Sequence, residues 1–201
     1  MKVKRTVTVD TDAFKVGDII EIKLTDGVKA EAMAMKQEAD GMIFCLVDCL
    51  PNEYQMNSTG TSEGGYEESY LRKKLNCEIL NLFPTELKAT MVPFDNGDLL
   101  LLPTEREIFG KNQYGGDESP DVKQWEPMKK RRNRMAFDGS KDECRQCYWL
   151  ANRGRKSATC FSNVTGGGRA SNAYVSYSCG VRQAFKIKNG ESGRGNEEKT
   201  E

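Results

Sequence analysis

The first fifty residues carry short alternating patterns of apolar and polar side chains, and these predict strands. Val3, Val7 and Val9 lie among polar residues, and Phe14-Lys15-Val16-Gly17-Asp18 turns the chain. Ile19 to Leu24 reads as a strand, and Thr25-Asp26-Gly27 follows as a hairpin signal, because an Asp-Gly pair accepts the positive φ of a tight turn. Val28, Ala30, Ala32 and Ala34 then alternate with Lys29, Glu31, Met33 and Met35, as in a strand buried on one face. A helix over Lys29 to Glu38 competes with it, since Ala, Met and Lys favour helix. Asp40-Gly41 turns into the apolar run Met42 to Val47. The expected unit is a small antiparallel meander, open or barrel-like.

Pro51 to Gly65 is polar and glycine-rich, hence a loop. Leu71, Leu75, Ile79 and Leu82 then fall at spacings of four, four and three, one apolar stripe of a helix that Pro84 stops. Leu99 to Leu102 is a continuous apolar run and predicts a fully buried strand. Beyond it, Thr104 and Glu107 have the spacing of a capping box, and the short helix they start should end at Gly110. Strand patterns return at Ala158 to Val164, Ala173 to Ser178 and Val181 to Ile187, with Thr165-Gly166-Gly167-Gly168 as a turn. From Asn189 to Glu201 there is no apolar residue, which predicts a disordered tail over 189–201.

Composition narrows the chemistry. A chain of 201 residues can build one sizeable core, or one domain and a small module. No stretch approaches the roughly 20 apolar residues of a membrane span, so no membrane insertion is expected. The N-terminus has basic residues but no apolar segment behind them, which argues against a secretory signal and for a cytoplasmic or virion-associated protein. Thirty basic side chains balance thirty acidic ones, against the positive surplus of a nucleic-acid binder. The run Lys129-Lys130-Arg131-Arg132-Asn133-Arg134 therefore reads as a solvated face or a set of ion pairs rather than a phosphate site. The chain has no histidine, which removes Ser-His-Asp and Cys-His catalysis and His-ligated zinc. Its seven cysteines read as free, mostly buried thiols; Cys144 and Cys147 have the spacing of half a zinc ribbon, but no second pair stands at the distance a ribbon needs.

Two motifs bracket the last folded stretch. Tyr148-Trp149-Leu150-Ala151-Asn152-Arg153 opens it and Gly180-Val181-Arg182-Gln183-Ala184-Phe185 closes it, with some thirty residues rich in Ser, Asn, Thr, Gly, Arg and aromatics between them. This bracket resembles an uncharacterised family of bacterial and prophage proteins that reads Trp-Leu-Arg-Ser, a Tyr/Ser/Asn/Gly-rich segment, then Gly-Val-Arg-Pro-Ala. The segments Gly97 to Gly110 and Gln124-Trp125-Glu126-Pro127-Met128 are similar to the same family, so the resemblance covers residues 60 to 188. Ala151-Asn152 replaces the usual Arg-Ser, and Gln183 the usual Pro. The closing motif also resembles the end of the C-type-lectin-like fold of formylglycine-generating enzymes and retroelement-diversified binding proteins.

The resemblance implies an α+β architecture: a C-type-lectin-like domain with an antiparallel sheet and one or two helices over residues 60–188, preceded by a β-meander module over 1–55. The apolar anchors at both ends of the bracket and the polar chemistry between them suggest a binding or display protein, of bacterial or prophage origin by the resemblance, diversified by a retroelement in one version and a phage structural subunit in another. Its ligand is a protein or glycan, and homo-oligomers or virion assembly are the further partners. Trp149 and Phe185 are expected in the core, and Arg182 as an ion-pair or carbonyl-capping residue. Asn152, Arg155, Thr159, Phe161, Asn163, Arg169, Asn172 and Tyr174 are the candidate ligand-binding residues, because recognition surfaces favour rigid aromatic area beside adaptable hydrogen bonding. No catalytic residue, metal or cofactor is assigned. The acid-free interval between Trp149 and Val181 argues against calcium, which needs converging carboxylates. An oxidase with copper on Cys160 and Cys179, which lie nineteen residues apart, is the enzymatic alternative.

Overall fold

The computed structural model describes residues 14–116, 118–139 and 144–189. The strand expected around Val3, Val7 and Val9 and the tail from 190 onward lie outside the described residues. Strands β1 (Ile19–Lys23) and β2 (Lys29–Gln37) form a hairpin through the Asp-Gly turn, in the register Ile19↔Met33 to Lys23↔Lys29. The competing helix at 29–38 does not form. Pairing on both sides and the burial of Ala32 and Ala34 override the helix preference of Ala and Met. β3 (Gly41–Leu46) follows and is buried throughout, and β4 (Tyr54–Gln55) is a two-residue strand.

The leucine stripe is helical along its length. α1 (Tyr70–Lys74) is capped by Ser69, whose hydroxyl accepts from the Arg72 N–H, and it continues as a π turn over Leu75–Ile79 and a 3-10 turn over Leu80–Leu82. Leu71, Leu75 and Ile79 are buried, and Pro84 ends the run before α2 (Thr85–Lys88). β5 (Met91–Val92) comes next. The run Leu99 to Leu102 is not the buried strand expected of it: only Leu101 makes a bridge, to Ala184, and Leu99 and Leu101 are half-buried. The Asn76 side chain takes the place of a neighbouring strand. Its Oδ1 accepts from the N–H groups of Leu99 and Leu100, both at 3.0 Å, and its Nδ2 donates to the Leu100 carbonyl at 2.9 Å.

α3 (Glu105–Phe109) has the full capping box from Thr104 and Glu107 and ends on Gly110, whose φ of 75° suits the left-handed cap. A 3-10 turn at Glu126–Lys129 leads into α4 (Arg131–Arg134). The remaining strands are β6 (Ala136–Phe137), β7 (Arg145–Gln146), β8 (Tyr148–Arg153), β9 (Cys160–Val164), β10 (Ala170–Tyr174), β11 (Ser178–Cys179) and β12 (Ala184–Lys188).

The largest sheet has the order β1-β2-β3-β12-β5, a second has β10-β9-β8, and β4–β11 and β6–β7 make short ribbons. Every pairing between these strands is antiparallel, and the helices are short, so the fold is α+β. The closing strand β12 sits between the meander strand β3 and β5, with Phe185 opposite Phe44. Those two rings stack at 5.8 Å, and Phe83 meets Phe185 edge-on at 5.6 Å. One apolar cluster takes in Ile22, Phe44, Leu71, Leu75, Trp149, Phe161, Val181 and Phe185. The expected boundary between a 1–55 module and a 60–188 domain is therefore corrected. The meander shares its sheet and its core with the C-terminal strand.

Candidate functional site

The two motifs of the bracket meet in space. The Gly180 N–H donates to the Cys147 carbonyl at 2.9 Å, and the Trp149 N–H donates to the Gly180 carbonyl at 3.2 Å, so Tyr148 and Gly180 form a parallel bridge. Only glycine fits there: a Cβ at 180 would lie 2.7 Å from Cys49 Sγ and 2.9 Å from the Cys147 carbonyl oxygen. Trp149 is wholly buried, and its indole Nε1 donates to the Tyr54 carbonyl at 2.7 Å. Arg182 is also fully buried. Its Nε donates to the Leu46 carbonyl at 2.6 Å, and its Nη1 donates to the Asn133 carbonyl at 2.9 Å and to the Tyr148 hydroxyl at 3.1 Å. The guanidinium lies 5.2 Å from the Tyr148 ring, which adds a cation–π contact. It caps carbonyls and ties the meander to α4 and β8.

The candidate ligand residues divide by position. β9 is the central strand of its sheet and every one of its residues is buried, so both of its faces are covered. Phe161 has no exposed surface and belongs to the core, and Asn163 is buried opposite Trp149 with its Nδ2 3.8 Å from Cys179 Sγ. Asn152 is buried too: its Oδ1 accepts from the Glu105 N–H and its Nδ2 donates to Glu118 Oε2 at 3.0 Å. These three are corrected from ligand contacts to parts of the frame. Thr159 is half-buried and bonded to Ser157. Arg155, Arg169, Asn172 and Tyr174 are exposed, the last three on or beside the edge strand β10.

One end of the β10 sheet adjoins two loops. Val175 N–H donates to the Thr159 carbonyl, Asn57 N–H to the Val175 carbonyl, and Ser62 N–H to the Ala158 carbonyl. Tyr174 and Tyr177 stand 52% and 58% exposed at this end, in an edge-to-face pair with ring centroids 5.4 Å apart. Beside them an open cavity of about 300 Å³ is lined by Asn57, Ser58, Thr59, Glu63, Glu68, Tyr70 and Lys73. The ammonium of neighbouring Lys74 lies 5.6 Å from the rings of both Tyr54 and Tyr70. A second cavity, about 360 Å³, is formed by Gly116 and residues 153–158 and carries Arg153, Arg155 and Lys156. Sequence reasoning missed Tyr177, Tyr70 and the 57–62 loop. The loop's Asn-Ser-Thr-Gly-Thr-Ser composition matches the bracketed segment, but it lies almost a hundred residues earlier in the chain.

Buried carboxyl groups brace the segments around α3. The Glu105 carboxylate, fully buried, accepts from the N–H groups of Tyr114 and Gly115 and from the Ser162 hydroxyl. In the capping box of α3, burial pushes the Glu107 carboxyl up to about 7 from an ordinary value near 4.5. The basic run is divided: residues 129–132 are exposed, Lys129 pairs with Glu126, and Arg131 and Arg134 also reach carbonyls. Arg131 Nε donates to Gly167 O at 2.9 Å, and Arg134 donates to Gly168 O and Met128 O, which pins the 165–168 turn.

The cysteines also regroup. Cys179 Sγ stands 3.0 Å from Cys147 Sγ, so its close neighbour is not the Cys160 of the copper alternative. Cys45 is pushed up to about 11, and Cys49 is pushed up further, both by burial, which makes them poor nucleophiles. Among the described residues no three Cys, Asp or Glu side chains converge as ligands for an ion. No protein-family model matches the chain, and neither a curated protein nor a solved structure matches it.

Proposed function

We propose that the chain is a non-catalytic binding and display protein with a C-type-lectin-like fold, presenting a polar and aromatic surface to a protein or glycan. The observation that carries this reading is the exposed Tyr174–Tyr177 pair beside the Asn57–Ser62 loop, set on a frame whose motif residues Trp149, Gly180, Arg182 and Phe185 are buried. Tyrosine rings offer large contact area at low entropic cost, and Asn, Ser and Thr supply adaptable hydrogen bonds around them. The meeting of the opening and closing motifs supports the lectin-like reading, since the variable stretch then leaves and re-enters the frame at one place. A prophage or virion-associated setting, with segment 152–178 diversified by a retroelement, belongs to the same proposal. It requires a near-copy of that coding segment, differing at adenines, beside a reverse transcriptase gene.

The test is binding by the purified protein on a glycan array and in a pull-down of bacterial surface proteins, compared with the double substitution Tyr174→Ser, Tyr177→Ser. A central aromatic pair is worth about 2 kcal/mol or more in an interface, so the double variant should lose about thirtyfold or more in affinity. A ligand held equally well by the double variant would overturn the assignment of this face, and silence in both screens would overturn the binding reading.

A further inference from the structure

The bracket holds a pair of thiols that the binding surface does not use. Cys147 directly precedes β8 and Cys179 ends β11, and the Gly180 N–H to Cys147 carbonyl bond fixes the two backbones side by side. Their sulfurs are 3.0 Å apart, and a disulfide needs about 2.05 Å, so roughly 1 Å of side-chain movement would join them. Cys147 is half-buried and can be reached from solvent, whereas Cys179 lies beneath it, only 3% exposed. The remaining cysteines lack this combination. Cys45, Cys49 and Cys160 are buried. Cys77 and Cys144 are exposed; Cys144 is separated from Cys147 by the extended strand β7, which puts their Cα atoms about 10 Å apart, beyond disulfide reach.

We propose that Cys147 and Cys179 form a thiol–disulfide modification site that reacts with low-molecular-weight disulfides and closes a covalent link between the opening and closing motifs. Cys147 is the attacking thiol. Its thiolate attacks one sulfur of the small disulfide RS–SR, forming Cys147–S–S–R and releasing one RS⁻, which takes up a proton. Cys179 then gives its proton to solvent and attacks Cys147 Sγ, and the second RS⁻ leaves. In sum the two protein thiols lose two electrons and two protons, and RS–SR becomes two RSH.

The electrostatics favour this order. The hydrogen bond from the neighbouring thiol brings Cys147 down to about 7, while that same contact, burial and the Cys147 charge push Cys179 up. Capping Cys147 as a mixed disulfide removes its charge, so the repulsion that holds Cys179 protonated falls when the second step needs a thiolate. At pH 7 about half of Cys147 is ionised against a few per cent of an ordinary thiol. The lower basicity trims that advantage to about threefold in rate.

The full-length reduced protein is exposed to glutathione disulfide near neutral pH, quenched with acid, alkylated and peptide-mapped by mass spectrometry. The expected product is a Cys147–Cys179 bridge, unchanged in C144S. In the wild type, bridging should run a few-fold faster than thiolation of the exposed Cys77 and Cys144, with a pH–rate midpoint near 7, whereas C179S, which lacks the thiol that lowers Cys147, should trap glutathione on Cys147 as a mixed disulfide. A wild-type protein that stays reduced, or that bridges any other pair, would overturn the site, and this arm needs no variant to fold. Faster thiolation of Cys77 or Cys144 than bridging in the wild type, or no glutathione on Cys147 in C179S, would overturn the role given to Cys147.

Discussion

Replacing Arg182 with methionine tests whether the closing motif is a structural clamp. Methionine fills much of the same volume but donates nothing. The Leu46 and Asn133 carbonyls would each lose the donor that the guanidinium supplies at 2.6 Å and 2.9 Å. The Tyr148 hydroxyl is cushioned, since it donates to the Arg134 carbonyl at 3.0 Å and keeps that bond. Two stranded carbonyls at about 1–3 kcal/mol apiece give about 2–6 kcal/mol of destabilisation. Part of this is recovered because a buried charge no longer has to be desolvated, and replacing a whole buried ion pair with apolar groups can even be stabilising. Here, however, only one side is removed and the acceptors stay. We therefore expect a net loss of about 2–4 kcal/mol from a total that for such domains is about 5–15 kcal/mol. Arg182→Lys should fall between, because one ammonium cannot serve two carbonyls in the fork geometry of a guanidinium. Urea unfolding followed by the fluorescence of the buried Trp125 and Trp149 measures both, with Arg169→Met on the exposed edge as the control at about 0.5 kcal/mol or less. An Arg182→Met midpoint within that same margin of the wild type would refute the clamp.

Glu107 should make stability depend on pH. Its folded value, about 7, lies above the ordinary 4.5, so its stabilising contribution is complete below about 4.5 and is lost as pH rises through 7. The full shift corresponds to about 3 kcal/mol, and because the side chain keeps partial contact with water we expect about 1–2 kcal/mol. Glu107→Gln keeps the capping contact without the charge, so its urea midpoint should stay flat from about pH 5 to 8 while the wild type declines; parallel curves would count against the burial of this carboxyl. Gly180→Ala should cost about 1–3 kcal/mol, because the new Cβ meets Cys49 Sγ and a backbone carbonyl at under 3 Å. An alanine variant as stable as the wild type by urea titration would mean that the two motifs are less tightly apposed than 2.9 Å implies.

Features governed by neighbours in the chain were legible in the sequence. Thr104, Glu107 and Gly110 delimit α3 because capping depends on residues within one turn, and Leu71, Leu75 and Ile79 share a face for the same local reason. Features governed by distant partners were not. Nothing within residues 1–55 announces that β3 will pair with β12, some 140 residues later. Thr159, Phe161 and Asn163, alternate residues of the strand pattern at Ala158 to Val164, are candidate ligand contacts by sequence, but alternation leaves a face open only when a single face is covered. With β8 and β10 on the two sides of β9 and loops and core against its faces, Phe161 and Asn163 are buried together. The leucines at 99–102 misled for the opposite reason: apolar content suggested a whole strand, but Asn76 serves the backbone of Leu99 and Leu100, the Tyr66 hydroxyl that of Leu102, and only Leu101 pairs with a strand, at Ala184.

The same distinction separates the buried frame from the exposed positions around it. Trp149, Gly180 and Arg182 act through buried atoms with few alternatives, so changes there should cost several kcal/mol. Arg155, Arg169, Asn172 and Tyr174 are exposed, and the pairing of β10 with β9 runs through backbone groups that every non-proline residue supplies. Substitution at those four positions should cost about 0.5 kcal/mol or less. Several can change together before the stability margin is spent, because separated surface sites add nearly independently. Of the eight nominated residues, then, the four that are exposed are the four that the fold can spare. If the segment is diversified as proposed, tolerated variation should concentrate at one strand edge and one loop rather than across the whole interval 152–178.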